Sequence, residues 1–488
     1  METLQRLHNR GSISTGYDID NSCRFQRDGE YLKAEGRTQG TQTTWTYSTW
    51  VKRTDLSDTN EPYQNIFSAG SSSSNWCHAY FRGDGSYPDN EIFLYLDNGG
   101  AQYWLGRIEE SFRDTAAWYH FVLAVDTTQS TTTDRAKVYI NGVQKTISNF
   151  TAPTQNASTR VGDGGGKFAI GALTDASHSF NGYIAECVLV DGSQLDATSF
   201  GEFDTDSGIW KPKDVSALSL GSTGFYINFD DSSNMGKVTS GNNGGNFDKY
   251  GIDSTNQATD TPTNNFTTIN TLQGNRSKLN ITNGATKIVK SGNYGWQTTT
   301  ANIAVREGKW YAEFKLDTSC DLVMLGVNQI EDEVAWNGSH IGAYSNSTAR
   351  GMGYYSSNGN FYRNGGSGAI GSSYLAGDII SIALRINADG TGFMGMAKNG
   401  TWQNSQDPSS GTTGMVGLEY GNPIEDGIHY TFAISTHQDA GGVLANFGGF
   451  DGFTVSSGNS DANGYGNFEY TVPTGYYALC TKNLEEFA

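Results

Sequence analysis

Aromatic residues that border turns are the first candidates for chemistry in this sequence. Trp336 lies in the run Ala335–Gly338, Tyr354 and Tyr355 precede a Ser/Asn/Gly turn, and Trp402 follows the turn Lys398–Gly400. An aromatic ring can cover the apolar C–H surface of a sugar while a neighbouring amide bonds its hydroxyls. Because loop aromatics also cap cores, packing is the competing interpretation. The predicted ligand-binding residues are Trp336, Asn337, Tyr354, Tyr355 and Trp402.

Histidine and cysteine give little sign of a metal or redox centre. The seven His residues show no HExxH spacing, and His120 lies in an apolar run, where a packed and hydrogen-bonded role is predicted. Five Cys residues are spread along the chain without a CxxC pair. Free thiols in half-buried strands therefore fit better than a disulfide framework or a zinc site. We predict no metal and no cofactor.

The composition predicts an all-β protein of more than one domain. The chain has 488 residues, with 62 Gly, 12% aromatic and only 17% charged residues. This composition is typical of short strands joined by tight turns, and the length favours two or three domains. The net charge of −19 makes nucleic acid and anionic membrane unfavourable partners. No apolar run reaches the ~20 residues of a spanning helix, and the first residues lack a signal-peptide core, so we expect folding in the cytoplasm.

Alternation of bulky and polar residues places the strands in two separate regions. The first contains Trp118–Asp126 and Ala136–Asn141, followed by the hairpin signal Asn141-Gly142. A polar stretch follows, and a second region begins near Lys278. The predicted domains are an N-terminal arm 1–21, a first sandwich 22–230, a polar linker 231–265 and a second sandwich 266–488. The clearest strands of the second region are Lys309–Leu316, Leu322–Val327, Ile379–Ile386, Phe393–Lys398, Tyr430–Ser435 and Val443–Phe447.

Two sets of strand motifs divide the chain. The first set is Trp45–Arg53, Trp118–Asp126, Val138–Gly142 and Phe180–Leu195. The second set is Gly308–Leu316, Leu325–Asn328, Ala376–Leu384, Met396–Gly400 and Val443–Gly448. Through these motifs the first half resembles the strand series of laminin-G/concanavalin A-like domains over roughly residues 20–230, and the second half resembles a SPRY domain over 266–455. The fold expected from both is two tandem antiparallel β-sandwiches.

The first resemblance raises the question of catalysis, because concanavalin-like folds also host glycosidases. Those enzymes need two carboxylates ~5–10 Å apart, and their usual Glu-x-Asp-x-x-Glu strand pattern is missing from the sequence. Glu331–Glu333 are adjacent and predict a turn, while Glu186 lies in an apolar strand and predicts a cross-strand role. Calcium ligands are conceivable at Asp84, Asp89 and Asp97, yet acidic loops are usually just solvated. We therefore predict no catalytic residues and no metal.

A third resemblance concerns the joints between these regions and the chain's ending. These segments are similar to linker motifs in virion proteins of marine tailed phages, which display such modules on tail fibres or capsid decorations. They are Phe200–Lys213, Phe225–Phe229, Thr259–Phe266 and Tyr477–Leu484.

The resemblance implies a non-enzymatic virion protein that displays glycan- or receptor-binding sandwiches for host attachment. The expected partners are other virion proteins, further copies in a homotrimer or another homo-oligomer, and a host-surface glycan, with no nucleic acid and no membrane insertion. The arm 1–21 is the expected anchor, and the second sandwich is expected to face outward. A carbohydrate-active enzyme or its binding modules, and a purely architectural virion protein, are the alternatives.

Overall fold

The chain divides into two compact units, each with its own core. A computed structural model describes two units, Ser14–Thr263 (the N-terminal unit) and Asn264–Ala488 (the C-terminal unit). The residues described are 16–27, 29–56, 62–72, 75–83, 90–98, 101–241, 245–274, 278–292, 295–317, 322–330, 338–343, 351–418, 428–437 and 442–488.

The N-terminal unit is built from short antiparallel strands joined by turns and by single-turn 3-10 helices, as its Gly/Asn-rich sequence predicts. The strands are β1 Ser22–Phe25, β2 Tyr31–Ala34, β3 Thr44–Arg53, β4 Tyr63–Ser72, β5 Asn75–Arg82, β6 Glu91–Asn98, β7 Ala101–Ile108, β8 Trp118–Asp126, β9 Ala136–Ile140, β10 Val143–Lys145, β11 Lys167–Ile170, β12 Gly182–Asp191, β13 Gly201–Phe203, β14 Trp210–Pro212, β15 Phe225–Ile227, β16 Ser240–Gly241, β17 Asp248–Tyr250 and β18 Gln257–Ala258. The 3-10 turns are Thr132–Asp134, Ala197–Ser199, Ser232–Asn234 and Ser254–Asn256.

Two large sheets form the sandwich of the N-terminal unit. The first runs in the order β10-β9-β8-β3-β12-β1-β18, with β15 and β16 attached at β12, and the second runs β17-β2-β11-β4-β5-β6-β7. Their facing sides supply the core. Tyr47 on β3 lies 4.4 Å from Phe67 on β4, and Phe67 stacks on Phe168 of β11 at 5.6 Å between ring centroids. All three side chains are fully buried, because inward positions alternate along each strand.

The predicted strands of the first region are confirmed. β8 coincides with the predicted Trp118–Asp126, and β9 ends at the predicted hairpin. Asn141 and Gly142 both adopt positive φ, 48° and 79°, which suits the tight two-residue turns that favour Asn-Gly. Strand β12 contains an irregularity between Ala185 and Val188, where its register against β3 shifts.

The polar segment 231–265 contributes strands to the N-terminal unit, although its composition predicts a linker. Within it, β17 pairs with β2 and β18 pairs with β1. Lys52 Nζ lies 2.6 Å from Asp260 Oδ2, and both side chains are buried. The indole N–H of Trp118 donates to Asp260 Oδ1 at 3.1 Å. Paired polar groups therefore help to hold this segment in place, where other strands use alternating apolar residues. For this reason the hydrophobic pattern of the segment did not predict strands.

The C-terminal unit is also composed of short strands and ends in one short helix. Its strands are β19 Leu279–Thr282, β20 Lys287–Lys290, β21 Gln297–Thr300, β22 Gly308–Leu316, β23 Val323–Gln329, β24 Met352–Tyr355, β25 Asn360–Arg363, β26 Gly366–Ala369, β27 Ile379–Ile386, β28 Gly392–Lys398, β29 Thr401–Trp402, β30 Val416–Leu418, β31 Tyr430–Thr436, β32 Gly442–Asn446 and β33 Tyr477–Ala478, followed by the helix α1 Thr481–Phe487. A 3-10 turn lies at Gln403–Ser405.

Two sheets enclose the core of the C-terminal unit as well. One has the order β19-β20-β32-β22-β27-β28-β29, with β30 on β28 and β33 parallel to β22, and the other has the order β21-β31-β23-β24-β25-β26. Phe314 on β22 and Phe432 on β31 meet across the core at 6.3 Å. Trp310 on β22 is fully buried. All six strands predicted in this region are present, and β27 has the predicted bounds.

The fold class is therefore confirmed as all-β with tandem antiparallel sandwiches. Within the described ranges, no helix has the length and apolar character needed to cross a bilayer.

Candidate functional site

The structure separates the predicted ligand-binding residues from one another. Trp336 and Asn337 lie outside the described residues. Tyr354 was predicted to be exposed, but this is wrong: its side chain is fully buried in the core of the C-terminal unit, and its hydroxyl donates to the Ser372 carbonyl. Tyr355 follows on the same strand and points to the opposite side, as the period of two requires. Adjacent aromatics on a strand cannot share a face.

Tyr355 belongs to a packed aromatic cluster on the outer face of the six-stranded sheet. Trp296 is its centre and lies 5.9 Å from Tyr355, 5.0 Å from His340 and 5.1 Å from His437. The rings meet edge to face at these separations, so they pack on each other. Trp402, by contrast, is on β29 of the other sheet, where its half-buried ring lines a groove. The three predicted residues that the structure describes, Tyr354, Tyr355 and Trp402, therefore do not form one site.

A larger aromatic surface lies in the N-terminal unit, on the outer face of β4, β5 and β6. Cys77, Ala79 and Phe81 of β5 point into the core, so the alternate residues of this strand point outward. We call the outward-pointing set the aromatic face. It consists of Tyr63 on β4, Trp76, His78, Tyr80 and Arg82 on β5, Phe93 and Tyr95 on β6, and His178.

The rings of the aromatic face form one continuous network. His78 stacks on Tyr80 at 4.9 Å, and Tyr80 stacks on Phe93 at 5.7 Å. Trp76 and Tyr95 contact His78 from either side, at 6.0 and 5.4 Å. Tyr80 and Phe93 are buried beneath this layer, whereas Trp76, His78 and Tyr95 are half-buried and present part of their rings to solvent.

One end of the network is closed by Arg82 and Tyr63. The guanidinium of Arg82 lies 5.6 Å from the Tyr63 ring and 5.1 Å from the Phe93 ring. Tyr63 in turn meets Tyr80 at 5.4 Å and His178 at 4.8 Å. A guanidinium over two aromatic faces fixes their positions, because the ring quadrupoles attract the cation. The surface is thus held rigid before any ligand arrives.

The orientation of His78 is fixed by Asn65 on β4. The side-chain amide of Asn65 donates to the His178 carbonyl at 3.2 Å, so its oxygen faces His78. His78 Nδ1 lies 2.8 Å from that oxygen and must carry the proton. Burial lowers the pKa of His78 well below its ordinary value. The ring is therefore neutral, and its Nε2 is a hydrogen-bond acceptor.

Trp76 adds an unsatisfied donor to the aromatic face. Its indole nitrogen is buried from solvent and has no hydrogen-bond partner among the residues that the structure describes. A buried N–H without an acceptor is costly, so a ligand hydroxyl that reached it after a small movement of the half-buried ring would be stabilised. Trp76 and His78 together offer a donor and an acceptor within one apolar surface. Such a surface suits ligands that combine apolar C–H groups with hydroxyls.

The sequence carries a signal for this surface that does not depend on turns. In the run Asn75–Arg82 (NWCHAYFR), aromatic or basic residues alternate with small or apolar ones. That pattern predicts a strand with an aromatic outer face. The predicted ligand-binding residues border turns in the C-terminal half, and that criterion passes over aromatics that lie within strands.

A serine–histidine pair in the N-terminal unit is arranged for structure. His120 is fully buried, and its Nε2 lies 2.8 Å from Ser48 Oγ. The indole N–H of Trp210 donates to His120 Nδ1 at 3.0 Å. Nδ1 is therefore unprotonated, so Nε2 carries the proton and donates to Ser48, which is the reverse of a general base. Burial lowers the pKa of His120 to about 3. The predicted packed, hydrogen-bonded role of His120 is confirmed.

Glu186 is an enclosed acid in the same unit. It occupies the irregularity of β12 with φ 50° and is only 4% exposed. Tyr17 and Tyr226 both donate to its Oε1, at 2.6 and 2.5 Å. Burial raises the pKa of Glu186 to about 7. The carboxyl is therefore occupied by two phenols, in line with a cross-strand role.

The structure does not describe the side chains that the sequence offered as calcium ligands. Asp84 and Asp89 lie outside the described residues, as does the side chain of Asp97. Among the residues described, no group of three or more His, Cys, Asp or Glu side chains could hold a metal ion. Cys23, Cys77, Cys187 and Cys480 are buried free thiols, and Cys320 is not described.

Comparison with known proteins places a family match on the N-terminal unit. Residues 26–196 match Laminin_G_3, described as the concanavalin A-like lectin/glucanases superfamily. Every residue of the aromatic face lies inside this range. The match supports the concanavalin-like description of this part of the chain and fits a binding or structural role. No curated protein matches the chain.

Solved structures resemble parts of the chain at low identity. The SPRY domain of human HERC1 is 16% identical, with a TM-score of 0.27, and the match covers 36% of this chain and 96% of that one. The TRIM65 PSpry domain is 11% identical, with a TM-score of 0.26, over 37% and 91%. A heptameric SAP-like pentraxin from Limulus polyphemus is 18% identical, with a TM-score of 0.27, over 42% and 100%. Likenesses this distant carry no information on ligands or partners.

Proposed function

We propose that the chain is a non-enzymatic binding protein that holds neutral glycans on the aromatic face of its N-terminal unit. The observation that carries the proposal is the surface formed by Trp76 and His78 on β5 and Tyr95 on β6. It combines partly exposed rings with an unsatisfied indole N–H and a neutral imidazole acceptor. Sugar rings need both elements, an apolar surface for their C–H faces and polar groups for their hydroxyls.

The dimensions of this surface favour a short stretch of oligosaccharide. Residues two apart on a strand are ~6.8 Å apart, so Trp76 and His78 cover ~7 Å along β5. Tyr95 widens the surface on the neighbouring strand. The net charge of −19 favours neutral over anionic glycans. Contacts of this kind are weak singly, with dissociation constants of ~0.1–1 mM, and adhesion would depend on many copies.

The surroundings of the acidic residues support a role without catalysis. Glycoside hydrolysis needs two carboxyl groups that reach the same bond. Glu186 is enclosed by two tyrosines, and Glu313 in the C-terminal unit is fully buried. Ser48 accepts a hydrogen bond from His120 instead of donating one to it. Glu186, Glu313 and Ser48 therefore serve the packing of the fold. None of the three side chains is available to a substrate.

We place this binding activity on a phage particle, as a tail-fibre or capsid-decoration protein that acts as a homo-oligomer. The joints Phe200–Lys213 and Thr259–Phe266 and the ending Tyr477–Leu484 support this placement, since they resemble virion linkers. Symmetric assembly would multiply weak sites into useful avidity. Imaging of labelled virions is the test: label on heads or tails is expected, and particles without the chain would contradict it.

The glycan proposal is tested by binding of the full chain to an array of neutral oligosaccharides. The array includes cello-, malto-, manno- and laminari-hexaoses. We expect Trp76→Ala and Tyr95→Ala to weaken binding at least ~10-fold, because each removes a stacking ring. Tyr139→Ala is the matched control, a half-buried tyrosine on β9 of the other sheet. It should leave binding unchanged.

Two results would contradict the proposed function. One is undiminished binding by Trp76→Ala and Tyr95→Ala variants whose circular dichroism matches the wild type. The other is the appearance of shortened oligosaccharides during incubation, which would favour a carbohydrate-active enzyme.

A further inference from the structure

A groove in the C-terminal unit is separate from the aromatic face. It opens between the outer face of the nine-stranded sheet and the segment 470–474, with a volume of about 300 Å³. Its lining includes Tyr311, Ser381, Trp402, Tyr470 and Thr474. Trp402, one of the residues predicted from the sequence, borders this groove. The volume is at the lower end for small-molecule sites, so the groove suits one ring rather than a chain.

The floor of the groove has a defined hydrogen-bond direction. The hydroxyl of Tyr311 lies 2.8 Å from Glu313 Oε1 and 2.9 Å from Ser381 Oγ. Glu313 is fully buried, and its carboxyl oxygens accept hydrogen bonds from the backbone N–H groups of Glu469 and Tyr470, at 2.8 and 2.9 Å.

Because a phenol has one proton, Tyr311 donates to the carboxyl of Glu313 and accepts from the hydroxyl of Ser381. The remaining lone pairs of Ser381 are therefore acceptors at the floor of the groove. Burial raises the pKa of Tyr311 well above its ordinary value, so this phenol keeps its proton.

One aromatic wall of the groove rests on a glycine. A Cβ at Gly400 would lie 2.7 Å from Tyr470 Cδ1 and would displace that ring, whereas a Cβ at Gly395 would make only an ordinary contact with Trp402 Cζ3, at 3.4 Å. At Gly400 a φ of 77° adds a second requirement for glycine. Both rings are half-buried. A wall placed in this way is preorganised, which lowers the entropic cost of binding.

The chemistry of the lining identifies the ligand class. It consists of hydroxyl groups, aromatic rings and backbone, with no charged side chain among the residues that border the groove. A neutral ligand with several hydroxyls and an apolar face matches this set, whereas an ionic ligand would find no partner. We propose that the groove binds a single neutral pyranose ring. The chain then has two unlike sugar sites, and this one does not depend on the aromatic face.

The test is calorimetric titration of the full chain with the methyl α- and β-glycosides of glucose, galactose, mannose and N-acetylglucosamine. At least one glycoside should bind with a dissociation constant near ~1 mM. Trp402→Ala should weaken that binding at least ~10-fold, and Ser381→Ala should weaken it about 3–10-fold, because it removes a hydroxyl while preserving the walls.

Two control variants locate the effect. Tyr362→Ala alters a half-buried ring on the other sheet of the same unit, and Tyr95→Ala alters the aromatic face. Both should leave glycoside binding unchanged. The proposal is overturned if no glycoside binds saturably up to ~10 mM. It is equally overturned if Trp402→Ala and Ser381→Ala, shown folded by circular dichroism, bind like the wild type, or if only Tyr95→Ala reduces binding.

Discussion

At the scale of single residues, burial decides what each polar group can do. The sequence showed Glu186 in an apolar strand and so predicted a cross-strand role, which its two tyrosine partners agree with. It could not show that burial raises the pKa of this carboxyl to about 7. The side chains that enclose Glu186 come from distant parts of the chain, and Tyr17 lies 169 positions away. Tyr354 illustrates the same limit, since only the sheet packing shows that it points inward.

Glu186 should make stability depend on pH. Its pKa rises from 4.5 to about 7 on folding, so the folded state holds the proton more tightly. The resulting stabilisation is complete below pH 4.5 and is lost as pH rises through 7, a change of about 3 kcal/mol in the free energy of unfolding. Glu186→Gln should flatten this decline in urea unfolding at pH 4.5–8. The control Glu202→Gln alters an exposed side chain, so the decline of stability with pH should remain as in the wild type. An unchanged slope in Glu186→Gln would contradict the assignment.

At the scale of elements, strands with regular alternation were predictable and polar strands were not. β8 and β27 have the bounds that alternation predicted, and the Asn141-Gly142 turn lies where the dipeptide indicated. The segment 231–265 carries little apolar alternation, because its pairing depends on buried contacts such as that between Lys52 and Asp260. Composition cannot distinguish such a segment from a linker, since the partner lies far away in sequence.

The β9–β10 turn gives a prediction with a matched control. Gly142 and Gly165 have similar φ angles, 79° and 73°. A Cβ at Gly142 would lie 2.2 Å from the Trp210 ring, whereas one at Gly165 would meet nothing within 4 Å. Gly165→Ala should therefore cost about 1 kcal/mol, from backbone strain alone. Gly142→Ala should cost at least about 1–3 kcal/mol more, because Trp210 must move. Equal losses in urea unfolding would show that Trp210 adapts freely.

At the scale of the whole molecule, the two units offer different surfaces for ligands. The sequence predicted the fold class and the tandem arrangement from composition, alternation and family motifs. It located Trp402 but not the groove, because the segment 470–474 reaches β22 and β28 only in the folded chain. The aromatic face was not predicted, because the candidate ligand-binding aromatics were those that border turns and the aromatic face lies on strands. Trp76 and Tyr95 are half-exposed because no other element covers their side of the sheet among the residues described. The residue pattern of a single strand does not show which side of a sheet stays uncovered.

The most direct test of glycan binding on the aromatic face is the indole N–H signal of Trp76. The full chain with ¹⁵N-labelled tryptophan would be titrated with the hexaose panel, and Trp76→Phe would assign the signal among ten tryptophans. Trp76 has no described acceptor, whereas Trp45 donates to Thr159 Oγ1 at 2.8 Å inside the core. A saturable shift of the Trp76 signal with an unmoved Trp45 signal is predicted, because Trp76 lies on the proposed binding surface whereas the Trp45 N–H is already bonded inside the core. A Trp76 signal that stays fixed while a hexaose binds would contradict the account.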